Sequence, residues 1–551
     1  MTGGQALARS LRKQGVDTVF GLPGVQLDWL FDALWEERQA IKVYWTRHEQ
    51  ATTYMADGYA RTTGKPGTAI VVPGPGLLNA MAGLSTAYSA NSPVLCVSGQ
   101  IQSDLIEVGR GLLHEIPNQL SMVRSVTKWS GRAMRPAEVP ALVQEAFRQM
   151  QSGRTRPVEL EIPPDVLAAQ GEVELLGPAE ALRPAPDPDR LEQAAKLLGQ
   201  AKRPVIFAGG GVLRAEAWDE LRELAEMLQA PVMMSQNARG AVSARSYLAQ
   251  NMLASEQLVP ESDAILAVGT RFTQPIAAEW GPKEGQPVIQ LDVDEDEIGR
   301  NFQPAIGIVS DARLGLSALI DALGKHNRKR ESRQEELSAV KERIDDLFFE
   351  MQPQASYAMA IRDVLPDDGI LVGESTQVGY WCHSAYPAYQ PRTYLTSGYQ
   401  GTLGYGFATA LGVQVGAPDK KVVSISGDGG FMYNVQELAT MAQQKINLVA
   451  VVFNDNAYGN VKRIQQQSFG GHTIASDLHN PDFAKLAELF GVRGMRAEGP
   501  EAFKSTLERA LSLDEPVLIE VPVGQMPSIW GIVRRNTRAE FPQTVSAVKR
   551  D

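Results

Sequence analysis

Short apolar runs in this chain stop at glycine- or proline-rich turns and give way to helical stretches, and the alternation recurs along most of its length. Val16 to Phe20 ends at Gly21-Leu22-Pro23-Gly24, Ile70 to Val72 at Pro73-Gly74-Pro75-Gly76, and Val422 to Ser426 at Gly427-Asp428-Gly429-Gly430. Such runs are too short for buried helices and too continuous for half-exposed strands. They read as strands covered on both faces of a parallel sheet. Stretches such as Gln50 to Arg61 and Leu77 to Ala87 supply the helical crossovers that parallel neighbours require. The fold class is therefore α/β, with parallel sheets covered by helices on both faces.

At 551 residues the chain exceeds one ordinary domain. Three blocks are expected, over residues 1–176, 190–324 and 355–544. The proline-rich, acidic stretch Pro178 to Asp189 reads as the linker between the first two. Strands in the second block are expected at Val205 to Phe207, Pro231 to Met234, Ala264 to Val268 and Val288 to Val293. Lys325 to Arg343 is charged with its signs interleaved, which predicts a solvated, partly helical connector and no basic binding patch. In the third block the strands are expected at Gly369 to Val372, Val422 to Ser426, Leu448 to Phe453 and Val517 to Val521, a layout that echoes the first block. The charged tail, Arg534 to Asp551, is expected to pack loosely or to cover a subunit surface.

A formal net charge of −11 disfavours a nucleic-acid backbone as the main partner. No uncharged apolar stretch reaches about 18 residues, so no membrane span is expected. The first residues lack the basic-then-apolar pattern of a signal peptide. The two cysteines, Cys96 and Cys382, have no metal-ligand spacing, and Cys96 falls in an apolar run as a core residue. A cytoplasmic protein is the resulting expectation.

Two strand ends carry acids. Val422 to Ser426 stops at Gly427-Asp428-Gly429-Gly430, and Leu448 to Phe453 stops at Asn454-Asp455-Asn456-Ala457-Tyr458-Gly459. Open parallel sheets bind ligands at the carboxyl ends of their strands. Mg²⁺ takes hard oxygen ligands and reaches protein through one or two carboxylates plus ligand phosphates. Asp428 and Asp455 could supply those carboxylates, and the glycines beside Asp428 admit a phosphate close to the backbone. Either turn alone could be an ordinary one; the pair points to a diphosphate held through a cation.

Gly427-Asp428-Gly429 followed by Asn454-Asp455 resembles the diphosphate-binding motif of thiamine diphosphate enzymes, most of which end it in two asparagines. The resemblance implies Mg²⁺ ligation by Asp428, Asp455 and the carbonyl of Ala457. It places Gly427, Gly429, Gly430, Tyr458 and Gly459 around the cofactor. RHEQATTYMADGYART, from Arg47, resembles the segment bearing the catalytic glutamate of the acetohydroxyacid synthase and pyruvate oxidase group, which assigns that role to Glu49. A carboxylate bonded to N1′ of the aminopyrimidine favours the tautomer that takes the C2 proton. Gly74 and Asn79 belong to the same expected site. SGYQGTLGYG, from Ser397, resembles the aminopyrimidine-contacting segment, with Gly401 in the loop and Leu403 as the bulky prop for a bent cofactor. Thr376 and Gln377, in GESTQ, fall in a loop near the cofactor. VFGLPG, VGTRF and LDVDEDEI are similar to the same group, so the resemblance covers nearly the whole chain.

The family order implies a pyrimidine-binding domain, a central domain and a diphosphate-binding domain. It also implies a cofactor shared between the first domain of one subunit and the third of another, hence an obligate homodimer that pairs into a homotetramer. Gly209-Gly210-Gly211 alone is a weak nucleotide signal. Flavin-binding relatives differ at Asn251 to Ala254 and at Phe272-Thr273-Gln274-Pro275, so no FAD is expected. Over the reacting carbon the family places Val25, Gln26, the Leu113-His114 pair and parts of 458–465. His114 departs from the synthase pattern and could move a proton or bond a carbonyl. Ile464 stands where the biosynthetic synthases carry a tryptophan; Arg110 could pair with a substrate carboxylate, and no spacing forces His383 or His472 into the pocket. The first expectation is an acetolactate-synthase-like enzyme that decarboxylates a 2-oxo acid such as pyruvate and ligates the bound enamine to a second carbonyl compound. The alternatives are a benzaldehyde-lyase-like carboligase acting on 2-hydroxy ketones and aldehydes, or a simple 2-oxo acid decarboxylase.

Overall fold

A computed structural model describes residues 1–273 and 281–533. Gln274, Pro275 and the tail Arg534 to Asp551, on which expectations were placed above, lie outside the described residues. Among the described residues the strands form three six-stranded sheets in which every pairing is parallel.

The first sheet holds β1 (Thr18–Gly21), β2 (Lys42–Trp45), β3 (Gly67–Val71), β4 (Val94–Gly99), β5 (Trp129–Arg132) and β6 (Val158–Ile162), in the order β2-β1-β3-β4-β6-β5. The second holds β7 (Pro204–Ala208), β8 (Val232–Met234), β9 (Ala249–Gln250), β10 (Ala264–Val268), β11 (Val288–Asp292) and β12 (Ile306–Val309), in the order β12-β11-β10-β7-β8-β9. The third holds β13 (Ile370–Gly373), β14 (Tyr394–Thr396), β15 (Val422–Gly427), β16 (Val449–Asn454), β17 (Arg493–Arg496) and β18 (Val517–Pro522). Its order, β14-β13-β15-β16-β18-β17, repeats the first sheet strand for strand. In both, the winding reverses between the first and third strands in sequence, and that crevice is where such sheets bind ligands.

The chain divides into two compact units, Met1–Pro184 with Ser356–Gln525, and Ala185–Ala355 with the described residues from Met526 onward. In the first unit the helices Glu49–Thr63 and Tyr405–Gly416 are buried on nearly every side. Such helices belong inside a core. Their backbones meet through reciprocal glycines: a Cβ at Gly58 would collide with the carbonyl of Thr409, and one at Gly412 with that of Met55. Tyr54 and Tyr405 pack edge to face across the same seam, 5.9 Å between centroids. Arg61 Nη1 donates to Thr396 O and Tyr405 Oη at 2.7 Å each. The helix that carries Glu49 is thereby fixed against the third sheet's elements.

Two departures from the sequence reading are informative. The Lys325–Arg343 stretch is more than a solvated connector: the helix Gln334–Phe349 buries Leu337, Val340, Ile344 and Phe348. That spacing is one apolar helical face, and the intervening charges hid it. In the second unit, Gly209 and Gly211 donate to Val268 O and Gly269 O at 2.9 and 3.0 Å. Side chains there would collide with Gly269 and Thr270, so backbone packing across the β7/β10 crevice already accounts for the glycine run. Cys96 and Cys382 are both buried, and burial pushes the Cys96 thiol up. No described helix is long and apolar enough to cross a membrane.

Candidate active site

At the carboxyl edge of the first sheet, β2 leads through Thr46, Arg47 and His48 into Glu49, the first residue of its helix. His48 caps that helix, its Nδ1 accepting from Gln50 N at 3.2 Å. The Arg47 and His48 amides donate to the buried Glu437 carboxylate at 3.0–3.1 Å. Burial raises Glu437 above the usual carboxylate range, opposed by bonds from Thr440, Arg47 and His48. The turn before Glu49 is thus held from a different sheet's helix, Glu437–Gln443.

The Glu49 carboxylate is half-buried; Asn79 Nδ2 donates to its Oε2 at 3.0 Å, and its Oε1 stands 3.5 Å from where a Gly76 Cβ would be. Gly74, φ +55, precedes the helix Pro75–Ala90, and its amide donates to Gln119 Oε1 at 2.9 Å. A side chain at Gly74 would strike the carbonyl of His114, so the His114 loop lies directly on this turn. Gln26 Nε2 donates to Leu113 O at 3.1 Å, which leaves Gln26 Oε1 as an acceptor, 3.0 Å from His114 Nδ1. The neutral imidazole therefore carries its proton on Nδ1, and Nε2 is the acceptor. Val25 is 62% exposed beside this pair. Glu49, Asn79, Gly74, Gln26 and His114 come together near the ends of β1 to β4, with Val25 next to Gln26 in the chain.

At the third sheet, the β15–β16 register sets Gly427 opposite Phe453 and brings Asp428 and Asp455 to adjacent strand ends. Burial raises both carboxyls, and Asp455, further pushed by the Asp428 charge, reaches about 7. Two half-desolvated acids facing each other cannot both ionise cheaply, and a divalent cation between them removes that conflict. Among the described residues no group of three or more His, Cys, Asp or Glu forms a metal cluster, so any cation here needs neutral oxygens besides this pair. Asn480 reaches the same spot, its Nδ2 donating to Asp428 Oδ2 at 2.5 Å and to Asn454 Oδ1 at 3.1 Å. The Ala457 amide donates to Asp455 Oδ1 at 3.2 Å, after Asn456 turns the chain at φ +54.

Around this pair gather the other expected residues. Thr376 Oγ1 lies 3.5 Å from a Cβ position on Gly427, and Gln377 Nε2 3.1 Å from one on Gly459. The Tyr458 ring covers Gly429 at 2.6 Å from its Cβ position, and Glu374 covers Gly430. Leu403 is half-buried and Gly401 is exposed at φ +61. Ile464 is half-buried on the helix Gly459–Ser468, and Arg463 on that helix donates to Gln377 Oε1 at 3.2 Å. Arg110 and His472 are exposed, and His383 packs edge-on against Tyr380 and Tyr394. Glu374, Gln119, Glu437 and Asn480 are additions that sequence reasoning missed. Each acts through contacts between segments far apart in the chain, which leave no local pattern.

Three family profiles match the chain. The N-terminal binding domain of thiamine pyrophosphate enzymes matches residues 1–122, the central domain 191–319, and the C-terminal binding domain 374–521. A probable acetolactate synthase large subunit of Methanococcus aeolicus is 33% identical over 95% of this chain and 92% of its own length. The acetolactate synthase of Arthrospira platensis is 32% identical over 95% of this chain and 94% of its own. A probable 2-ketoarginine decarboxylase of Pseudomonas aeruginosa is 33% identical over 95% of this chain and 94% of its own.

Proposed function

We propose, from the premise that the chain belongs to the thiamine pyrophosphate (thiamine diphosphate) enzyme family, that it is acetolactate-synthase-like. It is a thiamine-diphosphate-dependent enzyme of carbon–carbon bond chemistry, related to the acetolactate synthases. In the proposed reaction a 2-oxo acid such as pyruvate loses carbon dioxide, and the retained acyl unit joins a second carbonyl compound. The observation that carries the reading is the 32–33% identity to acetolactate synthases over 95% of the chain, beside an exposed Val25 side chain that leaves room for an acceptor.

The residues present fit the family's cofactor. The Asp428 and Asp455 carboxyls, and the Ala457 carbonyl that the family motif implies, would supply hard oxygens to Mg²⁺. Gly427, Gly429, Gly430, Thr376, Gln377, Tyr458 and Gly459 would surround the diphosphate, and Gly401 and Leu403 the aminopyrimidine. When bound, thiamine diphosphate supplies a carbon nucleophile and an electron sink for decarboxylation. Glu49 would hold or release a proton at pyrimidine N1′, with Asn79 fixing one of its oxygens. His114 Nε2 would accept a proton from the substrate or bond its hydroxyl. The glycine run of the central block already packs against backbone, and we propose that this block holds no FAD; the purified protein should then lack flavin absorption.

From the family resemblance we propose a cofactor shared by two protomers, Glu49 of one and the Asp428 cluster of the other, hence an obligate homodimer, itself paired into a tetramer. A plain decarboxylase is the second reading, favoured by the Pseudomonas aeruginosa relative at equal identity. A panel of 2-oxo acids and aldehydes with product masses separates the readings. Acetolactate from pyruvate with release of carbon dioxide is expected; an aldehyde as sole product selects the decarboxylase, and acyloin chemistry without gas a benzaldehyde-lyase-like carboligase. His114→Ala should lower ligation on the order of 10²-fold or shift the product ratio. An unchanged rate and ratio would leave His114 a structural residue.

A further inference from the structure

Glu374 lies just beyond β13, on the floor of the third sheet's switch-point crevice, and is 1% exposed. Its carboxylate accepts three bonds from two other segments. Gly404 N donates to Oε1 at 2.6 Å, while Gly406 N at 3.2 Å and Ser426 Oγ at 2.7 Å donate to Oε2. Burial pushes the carboxyl up to about 7, against the opposing effect of these three donors. Gly404 sits at φ +84, directly after Leu403, and its carbonyl accepts from Asn434 Nδ2 at 2.7 Å. Both polar groups of Gly404 are thus tied to side chains. On its other flank Glu374 lies against Gly430, so closely that a Cβ there would collide with Oε1. One buried carboxylate therefore touches both the Leu403-Gly404 turn and the Asp428–Gly430 turn.

We propose that Glu374 is a positioning residue that sets the distance between the two ends of the cofactor site. This rests on the reading that Leu403 props the aminopyrimidine and that the Asp428 turn holds the diphosphate. A ligand spanning both turns binds only when their separation matches its length, whereas a ligand touching one turn is indifferent to it. No glutamine geometry reproduces the carboxylate. An amide placed at Oε1 faces the Gly404 N–H; placed at Oε2, it faces the Gly406 N–H. In either orientation a buried backbone donor loses its acceptor.

The test compares Glu374→Gln with wild type for thiamine diphosphate and for inorganic pyrophosphate, each with Mg²⁺, by titrating tryptophan fluorescence of the cofactor-free protein. Thiamine diphosphate should bind roughly ten- to hundredfold more weakly, and pyrophosphate within about twofold of wild type. Ser426→Ala, which removes one donor and leaves both amides paired, should show the same selective loss at smaller size and serves if the glutamine variant does not fold. Unchanged thiamine diphosphate affinity in either folded variant overturns the proposal. Equal losses of both ligands overturn it too, since Glu374 would then merely build the diphosphate turn. Failure of the wild-type protein to bind thiamine diphosphate would instead strike the functional reading beneath it.

Discussion

Glu49→Gln is expected to lower kcat by about 10²- to 10⁴-fold, the range of a lost acid–base group, and to leave thiamine diphosphate affinity nearly intact. Glutamine has the volume of glutamate, and its amide oxygen can still accept the bond Asn79 Nδ2 now gives Oε2 at 3.0 Å. The surrounding turn is held independently of the side chain: Arg47 and His48 donate backbone bonds to Glu437, and His48 caps the helix. The fold and the binding surface should therefore survive. What glutamine lacks is a negative charge and an acidic proton at pyrimidine N1′. Steady-state rates under saturating cofactor, beside a binding titration, separate the two effects. A variant turning over near the wild-type rate would remove Glu49 from its assigned role; one that no longer binds cofactor would make it a binding residue first.

The sequence exposed those parts of the fold whose physics is local. Apolar runs ending at glycine-rich or Asn/Asp turns revealed β1, β3, β15 and β16, because a strand buried on both faces is uniformly apolar and its exit is sharp. β6 was hidden because its run, VELEI, carries Glu159 and Glu161, both fully buried. Their partners lie outside the strand: Ser98 donates to Glu159 Oε1, while Oε2 has no hydrogen-bond partner among the described residues, and Gln100, Gln119 and Arg132 donate to Glu161. β5 and β17 are sheet-edge strands with arginines and no apolar run. The site divides in the same way. Asp428 and Asp455 were candidates because acids at two strand ends suit a cation-held diphosphate, and Glu49 because its phrase resembles a family segment. Gln119, Glu374, Glu437 and Asn480 were not, because each is defined by the backbone groups it meets across the fold. The Gly58/Gly412 seam is of that second kind: one glycine in a helix looks like a weakness until its partner is known.

Asp428→Ala should weaken Mg²⁺-dependent cofactor binding by more than about 100-fold, since even residues one shell beyond a metal's ligands cost 10- to 100-fold when removed. The loss should be confined to the loaded protein. In wild type, thiamine diphosphate with Mg²⁺ should raise the melting temperature, because a ligand bound only by the folded state stabilises it in proportion to its occupancy. In the variant that shift should vanish at the same ligand concentrations, and a retained shift would refute Asp428 as a ligand. The variant also tests the shared site. A mixed dimer of Glu49→Gln and Asp428→Ala chains contains one site with both defects and one with neither. Random reassortment of equal amounts should then recover about a quarter of wild-type activity, because half the dimers are mixed and each has one intact site. If each site were built from a single chain, every site would keep one defect and mixing would recover nothing.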